Sequence, residues 1–183
     1  MTASAAEDPD DAVRFEAASH DPVTAPHARL VAAYQAWMDA PKVDGIPLRN
    51  SLALERIPDA VGQIGIVDVL PDGGFRYRMF GSALVGALGY DATGWLTVNL
   101  RPAAYADLIT RQYQEVVTER RPILHELRGG FDDSSEHRYF RLTAPLTVSD
   151  GRVDHLWMTV ALLSSFGREV FLSAGSSFFR TRD

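Results

Sequence analysis

Leu30, Val31, Tyr34, Trp37 and Met38 recur at three- and four-residue steps, the spacing of one helix face. Thr24 or Ala25 can cap this helix, Pro26 suits its first turn and Pro41 stops it, so the pattern predicts a helix over 26–39. A connector with Gly45 and Pro47 follows, and Leu52, Leu54 and Ile57 before Pro58 read as a short helical turn. The period then drops to two. Residues 63–70 are rich in β-branched side chains and read as a strand, and Pro71-Asp72-Gly73-Gly74 is a turn. Residues 75–80 alternate, placing Phe75, Tyr77 and Met79 on one face and Arg76, Arg78 and Phe80 on the other, which completes a hairpin.

Ser82 can cap a short helix carrying Leu84, Val85 and Leu88, and Gly89 closes it. The longest helix begins near Pro102 and runs to about Glu119, with Tyr105, Leu108, Ile109, Val116 and Val117 on one face and Tyr113 at its margin. Beyond Arg121-Pro122 three strands are predicted, at 123–131, 137–148 and 153–164. In the last of them Leu156, Met158, Val160 and Leu162 alternate with His155, Trp157, Thr159 and Ala161. The second set is less apolar yet holds a tryptophan, so it needs a cover. Grouped hairpins with helices between them predict an α+β domain built on an antiparallel sheet.

Three stretches resemble a PAS domain, and more narrowly the bacterial PAS-like family of small proteins. They are Leu30–Trp37 followed by Ile46-Pro47-Leu48-Arg49; Phe75 to Val85 with Gly89-Tyr90-Asp91-Ala92-Thr93-Gly94; and Arg141 to Leu146. The middle stretch is similar to the family's Arg-x-x-Gly-[Ser/Thr] and Gly-x-Asp-x-Thr-Gly signature. The chain departs from the family's pattern at Gln35, at Asn50-Ser51 and at Trp95. The resemblance covers about residues 27–163. It implies a five-stranded antiparallel sheet of order 2-1-5-4-3, helices on one face, a flanking N-terminal helix, and a ligand cupped between sheet and long helix. It implies sensing or partner binding rather than catalysis.

Charge divides the chain. Residues 1–25 hold six acids against Arg14, a net of −5 out of −6, so the remainder carries −1. The acidic segment, with Pro9 and Pro22, reads as a flexible leader. The PAS-like domain is placed at 26–164, and 165–183 reads as an apolar extension with Phe171, Phe178 and Phe179. A near-neutral body offers no basic footprint for nucleic acid or an anionic membrane, and no apolar run has the roughly 18 residues of a membrane span. The N-terminus lacks the basic start and apolar stretch of a secretory signal, which predicts a cytoplasmic protein. No length remains for a kinase, cyclase or helix-turn-helix segment, so output is expected through a small molecule or signalling-protein partner and through self-association.

Candidate chemistry is sparse. With no cysteine, thiol nucleophiles, cysteine-held zinc and a cysteine-linked flavin are excluded. His20, His27, His125, His137 and His155 show no metal-type spacing, so no metal is predicted. The long helix has no histidine of the kind that resembling haem-binding PAS domains use, although His125 lies just beyond it. No cofactor is predicted; haem and a non-covalent flavin are left open. By periodicity Tyr77, Met79, Leu108, Tyr113 and Met158 lie on the apolar faces of their elements and are the pocket candidates. Tyr34, Trp37, Met38 and Trp157 are the candidates for a homodimer interface, the helix at 26–39 covering the Trp157 face in cis or from a second copy. The alternative is a small α+β-cone enzyme of isomerase or dehydratase type. It needs a buried Asp/His pair, and Asp68, placed inside a strand, has no apparent partner in the sequence.

Overall fold

A computed structural model of the chain describes residues 14–52, 57, 62–130 and 137–163. In chain order the elements are β1 (Arg14–His20), α1 (Ala28–Asp39), β2 (Lys42–Val43), β3 (Ile46–Pro47), β4 (Ile64–Val69), β5 (Phe75–Phe80), α2 (Ser82–Leu88), α3 (Ala103–Glu119), β6 (Ile123–Gly130), β7 (His137–Leu146) and β8 (His155–Leu163). Six strands form one sheet in the order β1-β6-β7-β8-β4-β5, with every neighbouring pair antiparallel. β2 and β3 make a separate ribbon. The fold is α+β.

The sixth strand corrects the expectation of five. Residues 14–20, read as part of the leader, pair along their whole length with β6. Their small and polar side chains hide a period of two. Phe15 stacks 5.6 Å from the ring of Tyr105, whereas His20, an odd number of residues on, meets Glu126 at 2.9 Å on the opposite face. A charged, polar strand suits a sheet edge, where apolar side chains would invite further pairing. Residues 1–13 and the extension at 165–183 lie outside the described residues.

α1 starts two residues later than the pattern predicts, because His27 is the cap: its Nδ1 accepts from the Arg29 amide at 3.1 Å. The helix lies on the outer face of the sheet. Leu30, Ala33 and Trp37 bury against Leu124, Phe140, Leu142, Ala144, Trp157 and Ala161. Two side chains pin it: the Trp37 indole donates to the Pro145 carbonyl at 2.8 Å, and Arg29 donates to the Val160 carbonyl at 3.0 Å. Burying Trp37 and Leu30 stabilises this contact by about 1.5–3 kcal/mol each. Trp157, 1% exposed, is therefore covered from within its own chain.

α2 and α3 cover the inner face, where Leu156, Met158, Val160 and Leu162 of β8 join Val67, Phe75 and Tyr77. β8 thus spends one alternating set on each layer. A bulge between Ile66 and Val67 corrects the assignment of β5: Ile66 pairs with Met79 but Val67 pairs with Tyr77, leaving Arg78 as the extra residue. Beyond the bulge the alternation inverts, so Phe80 is buried and Met79 is turned out, 42% exposed. Among the described residues no helix is long and apolar enough to cross a membrane.

Candidate functional site

The site is built where α3 crosses the inner face. α3 presents Tyr105, Ala106, Ile109, Gln112, Tyr113 and Val116 to the sheet, a helical stripe that carries Gln112 into the core with its apolar neighbours. Tyr113 donates to the Met158 sulfur at 3.1 Å, so the 2.9 Å contact between the Tyr77 and Tyr113 hydroxyls has Tyr77 as the donor. Met158 can fold into this layer because it faces Gly65 across β4 and β8: a Cβ at position 65 would lie 2.2 Å from the Met158 methyl. The rings of Tyr77 and Phe80 meet edge to face at 5.0 Å.

Into this layer β7 delivers Arg141, 1% exposed. Its guanidinium donates to the Gln112 side-chain carbonyl and lies 5.0 Å over the Tyr113 ring. Among the described residues it has no carboxylate partner. Burial raises the pKa of Tyr77, Tyr105, Tyr113 and Tyr139, that of Tyr139 to about 12, so the phenols around the guanidinium are neutral. A buried, uncompensated charge costs several kcal/mol. Hydrogen bonds to Gln112 and to the Tyr139 hydroxyl (about 1.5–3 kcal/mol each) and one cation–π contact (about 2 kcal/mol when desolvated) offset much of that, but all these partners are neutral.

Next to Arg141 on β6 is its register partner His125. Its Nε2 lies 3.1 Å from Glu115 on α3, whose carboxylate also approaches the Ser19 hydroxyl at 3.4 Å. Burial, with the nearby Arg141 charge, lowers the His125 pKa to about 3, so the ring is neutral and donates through Nε2. His125 Nδ1, Arg141 Nε and Thr143 Oγ1 are then buried without a hydrogen-bond partner among the described residues. All three belong to the inner face of two adjacent strands.

Arg141 lines a cavity together with Tyr77, Phe80, Leu84, Leu88 and Tyr139. Its open space is about 10 Å³, room for about one water. Of the pocket candidates, Tyr77 and Met158 line it, and Tyr113 stands behind them in the hydroxyl chain. Leu108 is half-buried at the edge of the core and outside the lining, and Met79 faces away, as the bulge dictates. Periodicity missed Arg141, Tyr139 and Phe80, and it put Tyr105 on the apolar face of the long helix without naming it for the pocket. Tyr139, Arg141 and Thr143 form one alternating set in β7, but that pattern reads as a solvated face until α3 is laid over it.

The outer face carries two buried carboxylates. Asp68 Oδ1 accepts from Arg78 at 2.7 Å and lies 3.1 Å from His155 Nδ1, while Oδ2 accepts from Arg76 at 3.1 Å. Asp68, read as partnerless, has its partners in register with it: His155 across β4–β8 and Arg76 across β4–β5. Burial pushes the Asp68 carboxyl up, but the hydrogen bonds from the two arginines outweigh it and hold the pKa below its ordinary value. Burial lowers the His155 pKa, and Asp68 only partly opposes this. Glu126 repeats the arrangement with His20, Arg128 and Arg138. Among the described residues no three histidine or carboxylate side chains cluster to hold a metal.

Of the interface candidates, Trp37 and Trp157 are consumed between α1 and the sheet. Met38 is 46% exposed, and Tyr34 borders an open cleft of about 540 Å³ shared with His20, Glu115 and Arg121. No protein-family model matches the chain, and no curated protein is detectably similar to it.

Proposed function

We propose that the chain is a non-enzymatic, PAS-like sensory or interaction module that binds a small molecule or a protein partner and signals through association. The observation that carries this reading is the tyrosine-ringed cavity between the inner sheet face and α2 and α3, lined also by a buried guanidinium. Mostly apolar cavities with a few convergent polar groups are what small ligands use. The run β5-β4-β8-β7-β6 corresponds to the order 2-1-5-4-3 of the resembling family and supports it further. Val31 and Met38 on the outward side of α1, with Tyr34 beside them, form the surface that a second copy would use.

Native mass spectrometry of protein purified from its own source tests the reading. A co-purified small molecule or a defined partner mass is the expected result. A bare monomer of 20.2 kDa, unchanged by a small-molecule library, overturns it.

The enzyme reading has one observation in its favour, the Asp68–His155 pair. It ranks second because the same carboxylate is saturated by Arg76 and Arg78. An acid so held is a poor general base, since a base works best with its pKa near the operating pH.

A further inference from the structure

We propose that the cavity lined by Arg141 receives the carboxylate of a small monocarboxylic acid with an apolar body. The inference rests on the ligand-binding reading above and names the chemistry of its ligand.

Three observations converge. Arg141 keeps its charge at any accessible pH, is shut off from water, and meets no carboxylate among the described residues. Its four tyrosine neighbours are neutral, so none supplies the missing charge. The guanidinium, which lines the cavity, still has an unused donor at Nε. A planar carboxylate matches a guanidinium edge with two parallel hydrogen bonds. His125 does not compete as a cation, because burial holds it neutral.

The walls select the rest of the molecule. Phe80, Leu84, Leu88, Leu127 and Met158 are apolar, so the body of the ligand is aliphatic or aromatic. Among the described residues Arg141 is the one cation in the lining, and the other polar groups there are the neutral hydroxyls of Tyr77, Tyr105 and Tyr139, so the lining offers a single positive charge, which suits a monoanion better than a phosphate dianion.

In the closed state the space holds about one water, so the ligand requires a wall to move. α2 is that wall. It has seven residues, only Leu84 among them is buried, and Gly89, with φ +81°, ends it. Val85 and Leu88 pack on the core only partly buried, so this short segment opens at lower cost than the long helix α3. Swinging α2 outward enlarges the cavity without disturbing the guanidinium, which β7 and α3 hold.

Wild-type protein titrated with hexanoate and with hexanamide, by calorimetry and thermal shift, tests the proposal. The two probes share length and shape and differ in charge. Hexanoate is expected to bind at least about tenfold more tightly, the scale of charge-assisted hydrogen bonds in a dry site. Arg141→Gln is expected to erase the difference, and Arg141→Lys to keep part of it. Equal binding of the two probes to the wild type overturns the carboxylate and leaves the ligand-binding reading standing. If no acid or amide from four to ten carbons binds, both fall. Should Arg141→Gln not fold, by circular dichroism, the wild-type pair of probes still decides.

Discussion

On the outer face of the sheet two carboxylates are buried, and each is surrounded by two arginines and a histidine. The inner face buries one guanidinium and gives it a glutamine, a tyrosine hydroxyl, an aromatic ring and no carboxylate among the described residues. The contrast lies both in the partners and in the water: the outer arginines reach solvent, whereas Arg141 is shut away from it. The outer clusters are self-contained: every acid is matched, and their arginines, about half-exposed, keep much of their hydration. Such groups set sheet register and hold strand ends. The inner charge meets only neutral partners among the described residues and is retained at a cost in stability. Buried polar groups that break the packing rules without local compensation concentrate where a protein meets something else.

The contrast can be broken at four places. The largest expected effect is from Trp37→Ala, which uncovers the outer layer and deletes the bond to Pro145; about 3–5 kcal/mol of stability is lost in urea unfolding. A loss under 1 kcal/mol would mean that α1 is only loosely laid on the sheet. Asp68→Asn comes next. It leaves Arg76 and Arg78 facing a neutral amide, and after discounting for their exposure about 2 kcal/mol is lost.

The third effect is a pH dependence. His125 titrates near 6.5 when unfolded and at about 3 when folded, so between those values the unfolded chain binds the extra proton. Its contribution is complete above pH 6.5 and falls by up to about 1.4 kcal/mol per unit as pH drops toward 3. His155, also lowered by burial, acts in the same direction. Asp68 and Glu126, both held below their ordinary values, add a loss that begins as pH falls below about 5 and grows toward lower pH. His125→Gln should flatten, without abolishing, the slope between pH 4 and 6. An unchanged slope would show that the ring is protonated in the fold.

The smallest effect is the most diagnostic. Arg141→Met keeps the side-chain volume and removes the unmatched charge, so stability should change by less than about 1 kcal/mol or rise. A loss as large as that of Asp68→Asn would make Arg141 a structural cation like those outside, and the difference between the two faces would disappear.

Much of the scaffold was legible in the chain. The helix at 26–39 lies within two residues of α1, and the hairpin of β4 and β5 follows from a β-branched run, a Pro-Asp-Gly-Gly turn and an alternating run. β1 escaped because Ala17, Ala18 and Ser19 carry too little apolar area to mark a face, and the acids around them suggested a loose arm. Tyr77 and Met158 were found as cavity residues because their strands alternate regularly up to those points. Met79 was misplaced because a bulge is a property of a strand pair, and no residue within β5 announces it.

The amino-acid sequence by itself determined the type and order of most elements, since helix and strand periods, caps and turn residues act within a few positions of one another. The tertiary structure alone decided what the charges mean. Asp68 and His155 stand 87 residues apart, and His20 and Glu126 106 apart; only cross-strand register brings them together. Arg141 has the same alternation whether its face meets water or a helix. α3, laid over β7, removes the water, and in a dry layer an unmatched guanidinium becomes a site.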